Sequence, residues 1–167
     1  MIPDIVNISE AKVHDIKGFE NLVFPKETII VEDRAYFDFT LMLSRIRAKN
    51  VFVTRIKKDT IITPIAETDL PENADDTVLK DEIIQLSSKK AKEVGISEEK
   101  LRIVHVYKAD ENKVIEIITN QLDWKAETIA ALYKKRWDIE TFFKAIKQNL
   151  QIKSFLGTSK NAVKSQI

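Results

Sequence analysis

Tyr133-Lys134-Lys135-Arg136-Trp137-Asp138-Ile139-Glu140-Thr141-Phe142-Phe143-Lys144-Ala145-Ile146-Lys147 is the stretch from which the rest of the chain can be read. At about 100° per residue, with Glu140 as zero, a helix sets Tyr133 near +20°, Arg136 near −40° and Lys147 near −20°. Leu132, Ile139, Phe143, Ile146 and Leu150 form a second stripe between about −60° and −120°, the period of a face packed on a core. Glu140 then sits at the rim of the buried stripe, a carboxylate with cations on either side. That arrangement suits metal-dependent phosphoryl transfer on nucleic acid. The plainer reading is a solvated Lys- and Glu-rich helix, in which Arg136 and Glu140 form an ordinary i, i+4 pair worth a few tenths of a kcal/mol.

Two further segments bear on the choice. Ile29-Ile30-Val31-Glu32-Asp33-Arg34-Ala35-Tyr36 is a β-branched strand running into Asp33, and Val51-Phe52-Val53-Thr54-Arg55-Ile56-Lys57 is a second strand after a helical interval. Together with the spacing Tyr133-x2-Arg136-x3-Glu140-x6-Lys147, these segments resemble the DDE transposases of bacterial insertion sequences, in the cut-and-paste group that carries a Tyr-Arg-Glu-Lys signature. Arg136-Trp137-Asp138-Ile139-Glu140 is similar to that group's helix core, residues 29–36 to its strand ending in Asp-Arg-Gly-Tyr, and residues 51–57 to the strand that follows. Ala35 stands where the family usually has Gly, a change expected to be tolerated. The resemblance covers nearly the whole chain.

It implies an α/β, ribonuclease H-like fold with two aspartates and a glutamate at the metal site. Asp33 and Glu140 match the second aspartate and the glutamate. Only Asp4 and Asp15 precede Asp33, and neither lies on a segment matching the first catalytic strand. Residues 3–15 resemble the family's third strand and the turn after it. The expectation is therefore a C-terminal piece with an incomplete ribonuclease H-like fold, lacking the first aspartate and inactive alone.

Composition fits a globular protein with a real core: 167 residues, 44% hydrophobic and 32% charged. Without cysteine, disulfides and thiolate metal sites are excluded. His14 and His105 are too few and too far apart to suggest a zinc site and read as structural. No apolar run has the length of a membrane span and no signal-peptide pattern is present, so a cytoplasmic, DNA-associated protein is expected. The net charge of +1 hides an asymmetry. Residues 1–122 hold 18 Lys/Arg against 22 Asp/Glu, and residues 123–167 hold 9 against 4. The basic end carries the motif helix, as a phosphate-facing region would. A merely solvated Lys-rich helix gives the same count.

Along the chain, residues 3–9 read as a strand, 15–22 as a weak helix or turn, Thr28–Glu32 as a strand, Tyr36–Lys49 as a helix and Val51–Ile56 as a strand. The last three form a strand–helix–strand kernel. Leu70–Asp76 is a polar loop, Leu79–Leu86 a strand, and Ser87–Glu99 a loop with a short helix. Leu101–Lys108 and Lys113–Thr119 alternate in period two and are joined as a hairpin by Ala109-Asp110-Glu111-Asn112. The motif helix starts after Trp124, with Lys125 in its first turn. The expected organisation is 1–56 as a partial ribonuclease H-like core, 57–122 as a β-rich insertion, and 123–167 as the motif helix and the start of another. Asp33 and Glu140 are 140 − 33 = 107 residues apart, which the resemblance explains by the insertion between them.

The chemistry implied is in-line displacement at a phosphodiester by two Mg²⁺ or Mn²⁺ ions, with Asp33 and Glu140 as metal ligands. Arg136 and Lys147 read as phosphate clamps, and Tyr133 as a donor to a neighbouring phosphate oxygen. Arg34, Tyr36 and Arg55 are further candidates for DNA contact. The strand 114–118 lacks the aromatic platform that some relatives use for a flipped base. Partners expected are double-stranded DNA, at transposon ends and target, and a second copy of the chain. The competing readings are a non-catalytic DNA-binding or dimerising remnant that modulates full-length transposase, and an unrelated α/β nuclease.

Overall fold

The computed structural model describes residues 23–70 and 77–136, all within one of the two compact units into which the chain divides. The strand expected at 3–9, the turn at 15–22, most of the loop at 70–76, and Glu140 and Lys147 lie outside the described residues.

Among the described residues six strands make one sheet, in the order β1-β2-β6-β5-β4-β3. β1 (Ile29–Val31) and β2 (Val51–Arg55) pair in parallel and are linked by helix α1 (Phe39–Arg47). β3 (Ile62–Glu67), β4 (Val78–Leu86), β5 (Leu101–Lys108) and β6 (Lys113–Thr119) pair antiparallel, and β6 closes against β2. The strands of residues 57–122 are thus hydrogen-bonded into the sheet that holds β1 and β2. A short helix α2 (Lys89–Val94) lies between β4 and β5, and helix α3 occupies 126–136.

Alternation along the strands sends side chains to two covered faces. On one, Phe52, Ile84, Leu86, Leu101, Ile103 and Ile118 pack with Met42 and Leu43 of α1 and Ala91 of α2. On the other, Val53, Val78, Val104, Ile115 and Ile117 receive Ala126, Ile129 and Tyr133 of α3. Phe52, Val53 and Thr54 are therefore buried in succession, the mark of a strand covered on both sides. Asn120 ties β6 to β2: its Oδ1 accepts from Phe52 N (2.9 Å) and its Nδ2 donates to Asn50 O (2.9 Å).

Three expectations need correction. The helix expected over Tyr36–Lys49 begins at Phe39, because Asp38 caps it by accepting from Thr40 N and Leu41 N, and residues 34–36 form a separate 3-10 turn. β3 was not anticipated. Pro64 breaks its alternation, yet Pro is admissible on an edge strand, and the register slips between Pro64 and Ala66. Finally, the buried face of α3 runs through Ala126, Ile129 and Tyr133, whereas Leu132 is only half-buried. Tyr133 lies inside the packed stripe instead of beside it.

Candidate functional site

Asp33 stands at the C-terminal end of β1, and the local backbone is fixed from three sides. Glu32 N donates to Val53 O (3.0 Å), Thr54 Oγ1 donates to Asp33 O (3.2 Å), and Tyr36 N donates to the same oxygen (2.9 Å). The Asp33 side chain caps the following 3-10 turn, with Oδ1 accepting from Ala35 N at 3.0 Å. Ala35 is not among the non-glycine residues of positive φ, which among the described residues are Glu27, Lys49 and Asn112. Nothing in this turn requires a glycine, so alanine fits, as expected from the sequence.

The second carboxylate oxygen, Oδ2, meets Arg136 Nη1 at 2.9 Å. Arg136 reaches it from α3, and its guanidinium also stands 5.4 Å from the centroid of the Tyr133 ring, one turn back on the same helix. Tyr133 is 1% exposed. Burial pushes its phenol above the ordinary value, against a hydrogen bond and charge from Arg136 and the charge of Arg55; Asp33 adds to the rise. The phenol thus keeps its proton throughout the physiological range, and its oxygen accepts the hydrogen bond from Arg136. Arg55, the last residue of β2, is half-buried and close enough to Tyr133 for its charge to act there.

The described candidates divide accordingly. Asp33, Tyr133, Arg136 and Arg55 share one neighbourhood, at the C-terminal ends of the parallel strands. Arg34 is exposed and Tyr36 half-buried in the 3-10 turn beside it. Glu140 and Lys147 are outside the described residues. A cleft of about 330 Å³ opens elsewhere, lined by Phe37, Phe39, Lys57, Thr60 and Lys90 among others, and it does not include Asp33 or Arg136. Its two lysines are already engaged, Lys57 by Phe37 O and Lys90 by Asp38.

The described residues alone do not fit a divalent-metal pair. No group of three or more His, Asp or Glu among them is placed to hold an ion, and both oxygens of Asp33 have partners. Hard cations want several carboxylate oxygens.

Sequence reasoning missed three polar pairs, two of them buried and one partly so. Glu32 and Arg45 meet at 3.4 Å beneath α1, where burial raises the Glu32 carboxyl despite the Arg45 charge. His105 Nε2 lies 2.8 Å from Glu82 Oε2, which agrees with a structural role for that histidine. Arg102 and Asp81 form the most enclosed pair, at 2.5 Å. For the last two pairs, polar residues set inside strands of strong apolar alternation were the available signal, though the partners lie 23 and 21 residues apart; Glu32 and Arg45, just after β1 and on α1, are 13 apart.

The chain matches the transposase DDE domain family over residues 6–167. It is similar to a protein named as a transposase (y4zB) from Sinorhizobium fredii, 33% identical over 167 residues, which covers 99% of this chain and 46% of that protein. A second relative, named as a transposase for insertion sequence element IS5377 from Geobacillus stearothermophilus, is 30% identical over 141 residues, 84% of this chain and 36% of its own length. The chain spans less than half the length of these curated relatives.

Proposed function

Because the chain belongs to the transposase DDE domain family, we propose that it acts in DNA transposition, with Asp33, Arg136, Tyr133 and Arg55 forming part of its DNA-facing centre. The observation that carries this reading is the Asp33–Arg136 ion pair at 2.9 Å. It joins two motif segments 136 − 33 = 103 residues apart, one at the end of a central strand and one on the motif helix.

In this reading Arg136 and Arg55 receive phosphate oxygens, Arg136 by a forked pair of hydrogen bonds. Tyr133 supports Arg136 from below and keeps its proton. Lys147, Arg34 and Tyr36 extend the same DNA contact. Asp33 and Glu140 are the carboxylates for Mg²⁺ or Mn²⁺, and the two-ion cleavage and joining that the family implies needs a third carboxylate beside them. Double-stranded DNA and a second copy of the chain are the partners.

A second reading, a DNA-binding chain that does not cut, is favoured by the full engagement of Asp33 by Arg136 and Ala35. Binding to a labelled duplex across a salt series tests the common premise. Arg136→Ala and Arg55→Ala are each expected to weaken binding and to lower the slope of log K against log salt by about one. Parent-like affinity and slope in both variants would overturn the site. Metal-dependent nicking by the chain alone would reject the second reading.

A further inference from the structure

Arg102 is an unusual residue to find in the middle of a sheet core. It lies on β5 between Leu101 and Ile103, is 3% exposed, and faces Asp81 of β4, which is 2% exposed. The two meet in a fork: Nε donates to Asp81 Oδ1 at 2.7 Å and Nη2 to Oδ2 at 2.5 Å. A buried ion pair of this kind is poor value as a source of stability, since two well-packed apolar side chains usually serve as well. What apolar side chains could not do is the work of the remaining nitrogen. Arg102 Nη1 donates to Leu122 O at 3.2 Å and to Trp124 O.

Those two carbonyls belong to the segment that leads directly into α3. Its first hydrogen bonds run from Thr128 N and Ile129 N to Lys125 O, and lysine has no oxygen with which to cap the helix. A guanidinium has no acceptor and cannot cap these N–H groups, but through the Leu122 and Trp124 carbonyls it holds the backbone that leads into α3, in the orientation that Asp81 gives it. Ala126, Ile129 and Tyr133 then lay the helix along the same face of the sheet. Arg136 is ten residues beyond Ala126, about 15 Å along the axis. An error in where α3 begins is carried to the Arg136–Asp33 contact.

We propose that Arg102, held by Asp81, is the positioning residue that sets the start of α3 and through it the placement of Tyr133 and Arg136. Its value to function rests on the DNA-binding reading given above, while its effect on α3 can be measured without DNA. Arg102 touches no candidate ligand and acts only through the helix.

The test compares the full chain with the double variant Asp81→Val/Arg102→Met, and with Arg102→Lys. The double variant replaces the pair by apolar groups and removes the grip on the two carbonyls. Arg102→Lys retains a charge for Asp81 but gives up the planar fork that spans three partners. Hydrogen exchange is followed by mass spectrometry for peptides covering α3 and, as the internal reference, α1. In both variants α3 is expected to exchange about tenfold faster with α1 unchanged, the scale of one charged hydrogen bond lost. Duplex DNA affinity should fall by a similar factor.

Equal acceleration in α1 and α3 would overturn the proposal, because a merely structural pair loosens the whole unit. So would unchanged exchange in α3. Should the double variant fail to fold, the same two outcomes in Arg102→Lys decide. If the parent chain binds no DNA, the functional reading falls, and the α3-to-α1 exchange ratio still judges the strut by itself.

Discussion

Arg136 Nη1 lies 2.9 Å from Asp33 Oδ2, with the arginine side chain 12% exposed and the aspartate 42% exposed. The pair joins the end of β1 to the end of the described part of α3. Its carboxylate is also tied back to its own turn through Ala35 N, so Asp33 is held in place and Arg136 comes to it. Half-exposed pairs of this kind contribute about 0–1 kcal/mol, too little to account for the contact as a device of stability. In the reading proposed above Asp33 serves a metal ion and Arg136 a phosphate, and in this structure the two side chains are paired with each other.

This relationship fixes the sign of a first prediction. A DNA phosphate must compete with Asp33 for Arg136. Asp33→Asn is therefore expected to strengthen duplex binding by a few-fold, and Arg136→Ala to weaken it by about tenfold, one charge-assisted hydrogen-bond pair. Fluorescence anisotropy at fixed salt measures both. Loss of affinity in Asp33→Asn comparable to that in Arg136→Ala would show that the two side chains do not compete.

The kernel β1–α1–β2 was legible because β-branched runs flank a stretch of helix formers, and the β5–β6 hairpin because both strands alternate cleanly around Ala109–Asn112. β3 was hidden by Pro64, whose exclusion from central strands does not hold at an edge. The orientation of α3 was misread because the packed stripe was drawn through Leu132, with Tyr133 beside it, whereas Tyr133 is buried in one cluster with Val53 and Ile117. Asp33 and Arg136 could be paired only through the resemblance, since no local rule links residues so far apart. The Arg102–Asp81 fork was beyond reach for the same reason: each residue, taken alone, is just a charge in a strand.

Gly95 offers a test independent of function. It ends α2 at φ 89°, donating its N–H to Ala91 O and Lys92 O, and a Cβ built there would meet nothing within 4 Å. Substitution is thus a matter of backbone strain alone. Gly95→Ala should destabilise by about 1 kcal/mol, and Gly95→Asn by less, since asparagine tolerates the left-handed region better. Urea unfolding distinguishes the two; an alanine variant as stable as the parent would contradict this account of the helix end.

Glu82 predicts an acid-side effect. Burial would raise its carboxyl, but hydrogen bonds and charge from Lys80 and His105 outweigh burial and hold it below the ordinary 4.5. A lowered folded-state value means that the contribution is complete above pH 4.5 and fades as pH falls through that lowered value. Denaturation midpoints of the parent and Glu82→Gln should therefore differ at pH 6 and converge towards pH 3. A gap that widens on acidification would reverse the assigned sign.

Tyr133 makes the opposite test at the alkaline end. Burial holds its phenol above 10, although Arg136 and Arg55 pull the other way. The folded state thus keeps a proton that the unfolded chain gives up first. Stability from this source is complete below pH 10 and is lost as pH rises through the folded-state value. Tyr133→Phe cannot ionise, so its thermal midpoint should fall less steeply than the parent's between pH 9 and 11. Tyr36 and Tyr107 remain in both proteins and cancel in the comparison. Parallel curves would mean that the phenol is hydrated, and that α3 does not seal the sheet face beneath Arg136.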